Sequence, residues 1–125
     1  MKHSAGILLY TEGMDVLLVH PGGPHNSLRD VWSIPKGEFD PGDEIPYDAA
    51  VREFHEETGF TLDKNDRPLF IGSQQQSPYK TVHVFAIRKY MDVSEAHSNT
   101  FQMEWNGILQ EFPEVDRFEW FTLDE

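Results

Sequence analysis

Cysteine is absent from the 125 residues, which excludes disulfides, thiolate zinc sites and cysteine nucleophiles. Basic residues are scarce: 10 Lys+Arg stand against 22 Asp+Glu, a formal net charge of −12. Affinity for duplex nucleic acid comes largely from Lys and Arg neutralising phosphates, so no such partner is expected. Any polyphosphate must be met locally, through a cation held by carboxylates. Long apolar runs are missing as well. No stretch approaches the roughly 20 apolar residues that a membrane span requires, and the run from Ala5 to Tyr10 is too brief for a signal-peptide core followed by a cleavage site. The expectation is a soluble cytoplasmic protein with no membrane partner. Aromatic residues, in contrast, are plentiful at 13%. Disordered chains seldom carry so much aromatic surface, so a packed core is expected, and the length suits one domain over residues 1–125.

Ala5–Tyr10 and Val16–His20 are branched-aliphatic runs around a turn containing Gly13, and read as two strands. Pro21-Gly22-Gly23-Pro24 opens a loop that runs to about Asp30. Val31–Ile34 is briefly extended before Pro35, and Lys36 to Asp43 is rich in turn formers. From about Glu44 to Thr58 the period becomes helical, with Tyr47, Ala50, Val51 and Phe54 forming one apolar stripe. Asp43 would cap this helix, Pro46 suits its first turn and Gly59 its end. Leu69–Gln74 and Thr81–Tyr90 are further strands, the second apolar on both faces and therefore central. Residues 92–100 read as loop, Phe101–Trp105 as extended and Phe118–Phe121 as a last strand, while Asn106–Phe112 is ambiguous. Strands flanking a single strong helix indicate a mixed α/β domain.

The chemistry concentrates in Arg52-Glu53-Phe54-His55-Glu56-Glu57-Thr58-Gly59-Phe60. Helix positions three and four apart share a face, so Glu53, Glu56 and Glu57 project together, away from Tyr47, Val51 and Phe54. Like charges at this spacing cost about 0.2–0.5 kcal/mol per pair, a cost that makes sense if a divalent cation sits among them. All-oxygen ligation selects Mg²⁺ or Mn²⁺ over zinc. Arg52 could hold the carboxylates through a bidentate pair. An acidic helix face is ordinarily just solvated, and here it is the neighbouring residues that argue otherwise. From Glu44 the chain runs Glu-x7-Arg-Glu-Phe-x-Glu-Glu-x-Gly-Phe, and Gly37 begins a glycine-bearing loop leading into it.

This resembles the signature of the Nudix hydrolases, Gly-x5-Glu-x7-Arg-Glu-U-x-Glu-Glu-x-Gly-U with U apolar, at every fixed position from Glu44 to Phe60. One departure stands out: six residues separate Gly37 from Glu44 where the pattern has five. Either the loop has gained a residue, or Glu38 occupies the first glycine position. The resemblance implies a Nudix fold, a mixed β-sheet sandwiched between helices with a loop–helix–loop motif. It also implies hydrolysis of a nucleoside diphosphate linked to another moiety, with Mg²⁺ or Mn²⁺. By position, Glu53, Glu56 and Glu57 would be metal ligands, the Gly37 carbonyl a further one, and Glu44 and Arg52 supports of loop and helix. The catalytic base in this family is a helix glutamate or one from a later loop. Glu114 precedes the last strand at a suitable place, with Glu104, Glu111 and Glu119 as competitors.

His20–Pro24, Trp32–Glu38 and Phe112–Arg117 look like the bacterial branch related to diadenosine polyphosphate hydrolases. That likeness implies a small nucleotide substrate, a dinucleoside polyphosphate or a nucleoside triphosphate. Lys36 and Lys80 are candidate phosphate contacts, and Trp32 and Tyr79 candidate purine stackers. His20, His55 and His83 read as structural or exposed. Two other readings stay open: a catalytically silent nucleotide sensor, and a hydrolase of ADP-ribose or a sugar nucleotide. A His-Glu-x-x-His zinc protease is excluded because Gly59 stands where the second histidine must be. A calcium loop is excluded because no alternating Asp/Asn loop with a central glycine occurs. The resemblance also implies a closing C-terminal helix, for which no sequence remains after the last strand. If residues 107–112 do not cover that sheet face as a helix, an exposed apolar patch and a homodimer come into play.

Overall fold

The strands are ordered around β1 (Lys2–Tyr10), whose alternation buries Ala5, Ile7 and Leu9 on one face. The computed structural model describes residues 1–63 and 65–123. β1 pairs in parallel along its whole length with β5 (Lys80–Arg88). Its other edge is divided: residues 3–6 pair with β3 (Lys36–Phe39) and Tyr10 pairs with β2 (Asp15–Pro21), both antiparallel. β4 (Leu69–Ser77) lies outside β5, and β8 (Val115–Thr122) outside β2. β5 is thus interior, as its apolar character on both faces predicted. The sheet is mixed, and the α/β class expected from the sequence is the one found.

Helix α1 (Pro46–Thr58) lays Ala49, Ala50 and Phe54 on Ala5, Ile7, Leu9, Leu17 and Ile87, with Tyr47 and Phe60 at the margin. Pro46 occupies the first turn, and Gly59 ends the helix in the left-handed region at φ 81°. The start differs from the sequence expectation. The N-cap is Ile45, with no side-chain cap, because the amides of Asp43 and Glu44 are already turned back onto the Asp40 carbonyl (2.9 and 3.2 Å). Glu44 therefore lies in the loop before the helix.

β3 is the element the turn-rich reading of Lys36–Asp43 missed; four residues long, it is held by its pairing with β1. The ambiguous stretch after Trp105 is a strand. β6 (Thr100–Trp105) and β7 (Ile108–Pro113) form a separate antiparallel hairpin around Asn106-Gly107. Both turn residues have positive φ, 54° and 78°, the requirement of a two-residue primed turn. Within residues 92–100, expected as loop, Val93–Glu95 forms one 3-10 turn.

Among the described residues α1 is the α-helix, and it covers one face. On the other face of β2 and β8, Trp32 packs edge-on against His20 (5.4 Å) and Phe121 (5.0 Å). Leu69, Phe70 and Ile71 on the outer strand β4 remain exposed, at the opposite edge of the sheet from β8. No helix among the described residues is long and apolar enough to cross a membrane.

Candidate active site

The three helix acids do not point into open solvent. Glu53 is 9% exposed, and its carboxylate lies against the backbone of Gly37 in β3. A Cβ added at residue 37 would come within 2.1 Å of that carboxylate. Gly37, and not Glu38, is therefore the glycine that admits the helix acid, and the extra loop residue falls after it. Glu57 accepts the Lys36 backbone N–H at 3.3 Å. Because the obstacle to a side chain at 37 is only the mobile end of Glu53, Gly37→Ala is expected to fold with little loss of Tm. It displaces the Glu53 carboxylate, and kcat should fall by about tenfold or more. Thermal melting and steady-state kinetics on one preparation test both halves.

Arg52 spans the cluster from the neighbouring side. Its Nη2 and Nε donate to Glu44 at 2.6 and 3.1 Å, while Nη1 donates to Glu53 at 2.9 Å and to Glu56 at 3.3 Å. These contacts hold the guanidinium proton even more firmly than usual, the Glu44 hydrogen bond contributing most. The bidentate support expected of Arg52 is thus directed at Glu44, with Glu53 and Glu56 sharing the remaining nitrogen.

The carboxylates also feel one another. Glu57 is pushed up to about 8, first by burial and then by the charge of Glu53, with Glu114 adding to it. Glu53 is raised by burial, Glu56 and Glu114 adding to this against the lowering hydrogen bond from Arg52. Glu114 is raised by burial and by Glu56. Four acids therefore share one neighbourhood, and a cavity of about 140 Å³ joins Glu57 and Glu114 with Lys36, Ser33 and Val19. A larger hollow, about 500 Å³, lies along the Lys2–His3 and Glu38–Pro41 segments and contains none of the helix acids. Proximity to the acids, not size, marks the smaller cavity as the candidate site.

Among the described residues no three acids or histidines are drawn together as a ready-made cation cage; Arg52 supplies the positive charge nearest Glu53 and Glu56. The donor set nevertheless fits a hard dication, being carboxylates beside a glycine backbone. Glu57 is raised by its burial first and by the charge of Glu53 second.

The other candidates separate into two groups. Lys36 is half-buried, and its ammonium is lowered by burial and then by the charge of Lys80, so the two cations approach each other. Tyr79 is exposed at the turn before β5. Trp32 is not brought to the acids: it packs on His20 and Phe121, under the Arg117 guanidinium at 5.4 Å. Glu104, Glu111 and Glu119 are exposed on strands, and none lines the acid cavity. His55 is exposed. His83 meets His3 at 3.1 Å and Ser73 at 2.7 Å. Unforeseen by the sequence reading is Asp116, which hydrogen-bonds the fully buried His20 at 2.7 Å. An acid two residues after Glu114 was the available signal, but its partner lies far away in the chain.

A model of the NUDIX domain matches residues 2–125. An uncharacterized 17.7 kDa protein from the e-segB intergenic region of Enterobacteria phage T4 is 34% identical over 124 residues, covering 92% of this chain and 78% of that protein. The RNA pyrophosphohydrolase of Brucella anthropi is 31% identical over 116 residues, covering 82% of this chain. The match spans 63% of that relative, less than two thirds of its length. Among solved structures, a C. elegans Ap4A hydrolase binary complex superposes with a TM-score of 0.53 at 21% identity, covering 97% of this chain and 80% of that one. That last likeness is one of fold.

Proposed function

The chain belongs to the NUDIX domain family of hydrolases, and from that premise we propose that it cleaves a phosphoric anhydride bond in a dinucleoside polyphosphate or a nucleoside triphosphate. The observation that carries this reading is the gathering of Glu53, Glu56, Glu57 and Glu114 within reach of one another's charge, with Glu57 and Glu114 lining one cavity together with Lys36. Glu53, Glu56 and Glu57, with the Gly37 carbonyl, would hold Mg²⁺ or Mn²⁺. When bound, such an ion supplies Lewis acidity at the phosphoryl oxygens and acidifies water.

The chain's own residues do the rest. Arg52 fixes Glu44, Glu53 and Glu56 relative to one another. Lys36 and Lys80, near enough for the charge of Lys80 to be felt at Lys36, would both be favoured by a polyphosphate bound beside them. Glu114 takes the proton from the attacking water; burial and the charge of Glu56 raise its proton affinity. Tyr79, exposed beside Lys80, offers a stacking surface for a purine. Trp32 is committed to internal packing and is assigned no stacking role.

The Brucella relative is named for action on RNA. Here a net charge of −12 opposes a long polyanion, which favours a small nucleotide. The test is a panel of diadenosine tetraphosphate, deoxynucleoside triphosphates and ADP-ribose, each with Mg²⁺ or Mn²⁺ and with a chelator. Cation-dependent turnover of either of the first two classes is expected, and none in chelator. Turnover of ADP-ribose alone would transfer the activity to nucleoside-diphosphate conjugates. Nucleotide binding without turnover of any substrate would make the protein a silent sensor and end the hydrolytic reading.

A further inference from the structure

His20 is wholly enclosed, yet both its ring nitrogens are engaged. A carboxylate only accepts, so Nδ1 carries the proton and donates it to Asp116 Oδ1 at 2.7 Å. Nε2 therefore carries the lone pair, which accepts from the Arg117 guanidinium at 2.7 Å, with the Arg29 carbonyl lying alongside. One side chain thus fastens β2 to two neighbouring residues of β8. A ring with no solvent access takes no part in proton transfer to substrate, so its effect must pass through what it holds.

Asp116 is available to His20 because of an irregularity in β8. The ladder pairs His20 with Arg117 but Pro21 with Val115, which leaves Asp116 as the extra residue of a bulge. In regular alternation Asp116 and Arg117 would face opposite sides of the sheet. The bulge brings both onto His20, a re-aiming that bulges commonly perform beside active sites. On the near side of the bulge stands Glu114. Its N–H donates to the Asn99 carbonyl and its carbonyl accepts from the Gly22 N–H, both at 2.9 Å. The Asn99 N–H in turn donates to the Glu56 carbonyl at 2.8 Å. The Gly22–Glu114 backbone bond and the His20–Asp116 side-chain bond therefore clasp the same two short segments on either side of Val115.

We propose that the His20–Asp116 pair is a positioning device for Glu114, setting through the β8 bulge where its carboxylate enters the acid cavity. This deepens the proposed function and rests on Glu114 as the base. Losing the pair lets the bulge relax and Glu114 drift, and displacements near 1 Å can cost two orders of magnitude in rate.

The test uses the full chain in four forms: wild type, Asp116→Ala, Glu114→Gln and the double variant, with Asp116→Asn as the conservative control. Asp116→Ala is expected to lower kcat by about tenfold or more with KM nearly unchanged. Asn keeps an acceptor for Nδ1–H and should recover most of that loss. The decisive reading is the cycle: in the Glu114→Gln background, Asp116→Ala should cause no further fall in kcat. An equal fall in both backgrounds would show a general structural effect and overturn the proposal. So would full kcat in a folded Asp116→Ala protein while Glu114→Gln is impaired. Full kcat in Glu114→Gln itself would instead remove Glu114 as base, a failure of the underlying reading. If Asp116→Ala does not fold, Asp116→Ser, too short to reach His20, takes its place in the same cycle.

Discussion

Glu57→Gln lowers kcat by about 100-fold or more and leaves the protein folded. Glutamine keeps the shape of the side chain and an oxygen to accept the Lys36 N–H, now bonded to Glu57 at 3.3 Å. What it loses is the capacity to shed a proton and meet a dication as a carboxylate, in an acid that burial pushes up to about 8. The loss falls on the step that needs that charge, so kcat should suffer far more than KM. Removing a carboxylate that its neighbours oppose also relieves the folded state, so a slow enzyme cannot be blamed on unfolding. Kinetics and melting of one preparation decide it: near wild-type turnover in folded Glu57→Gln would remove Glu57 from the chemistry.

The second large effect concerns stability. In chelator, the Tm of the wild-type chain should fall by on the order of 10 °C as pH is raised from 5 to 8. Glu57 is pushed up to about 8 from an ordinary 4.5, so between those values the folded chain holds a proton that the unfolded chain has released. Stability therefore declines as pH rises through this window: the contribution is whole below 4.5 and gone above about 8. Glu53 and Glu114 are displaced in the same direction and steepen the decline. Glu57→Gln should flatten the slope and melt above the wild type at pH 8. Magnesium added at that pH should restore the wild type, since a ligand of the folded state alone stabilises it. Calorimetry across the pH range reads this directly, and a wild-type slope no steeper than that of Glu57→Gln would contradict it.

Much of this was legible in the residues, for local reasons. The apolar stripe and Gly59 located α1 because helix periodicity and stop signals act over a few residues. The cap was misread because Asp40, three residues earlier, took the amides of Asp43 and Glu44 into its own turn. β3 has little strand propensity of its own; it exists because β1 presents an edge to it, and no local pattern records that. The β6–β7 hairpin carried its signal openly in Asn106-Gly107, which fits a two-residue primed turn. The motif fixed Glu53, Glu56 and Glu57 in register, but the abutment of Glu53 on Gly37 is tertiary. For Trp32 the residues alone left stacking and core packing both open: Val31 and Ser33 on either side line the acid cavity, while the ring between them packs on His20. The His20–Asp116 bond joins opposite ends of the chain through a bulge, and nothing in either neighbourhood announces it.

The seam between β1 and β5 has a consequence for how the molecule is made. Lys2 finds its partner at Lys80 and Tyr10 at Arg88, so β1 must wait for a strand that is made much later. The hairpins β4–β5 and β6–β7 close over short loops and can form early, whereas the central pairing bears the entropy of a long closure and should limit the rate of assembly. Until then the Ile7-Leu8-Leu9 run is a bare apolar segment, and it is there that nascent chains would be expected to need a chaperone.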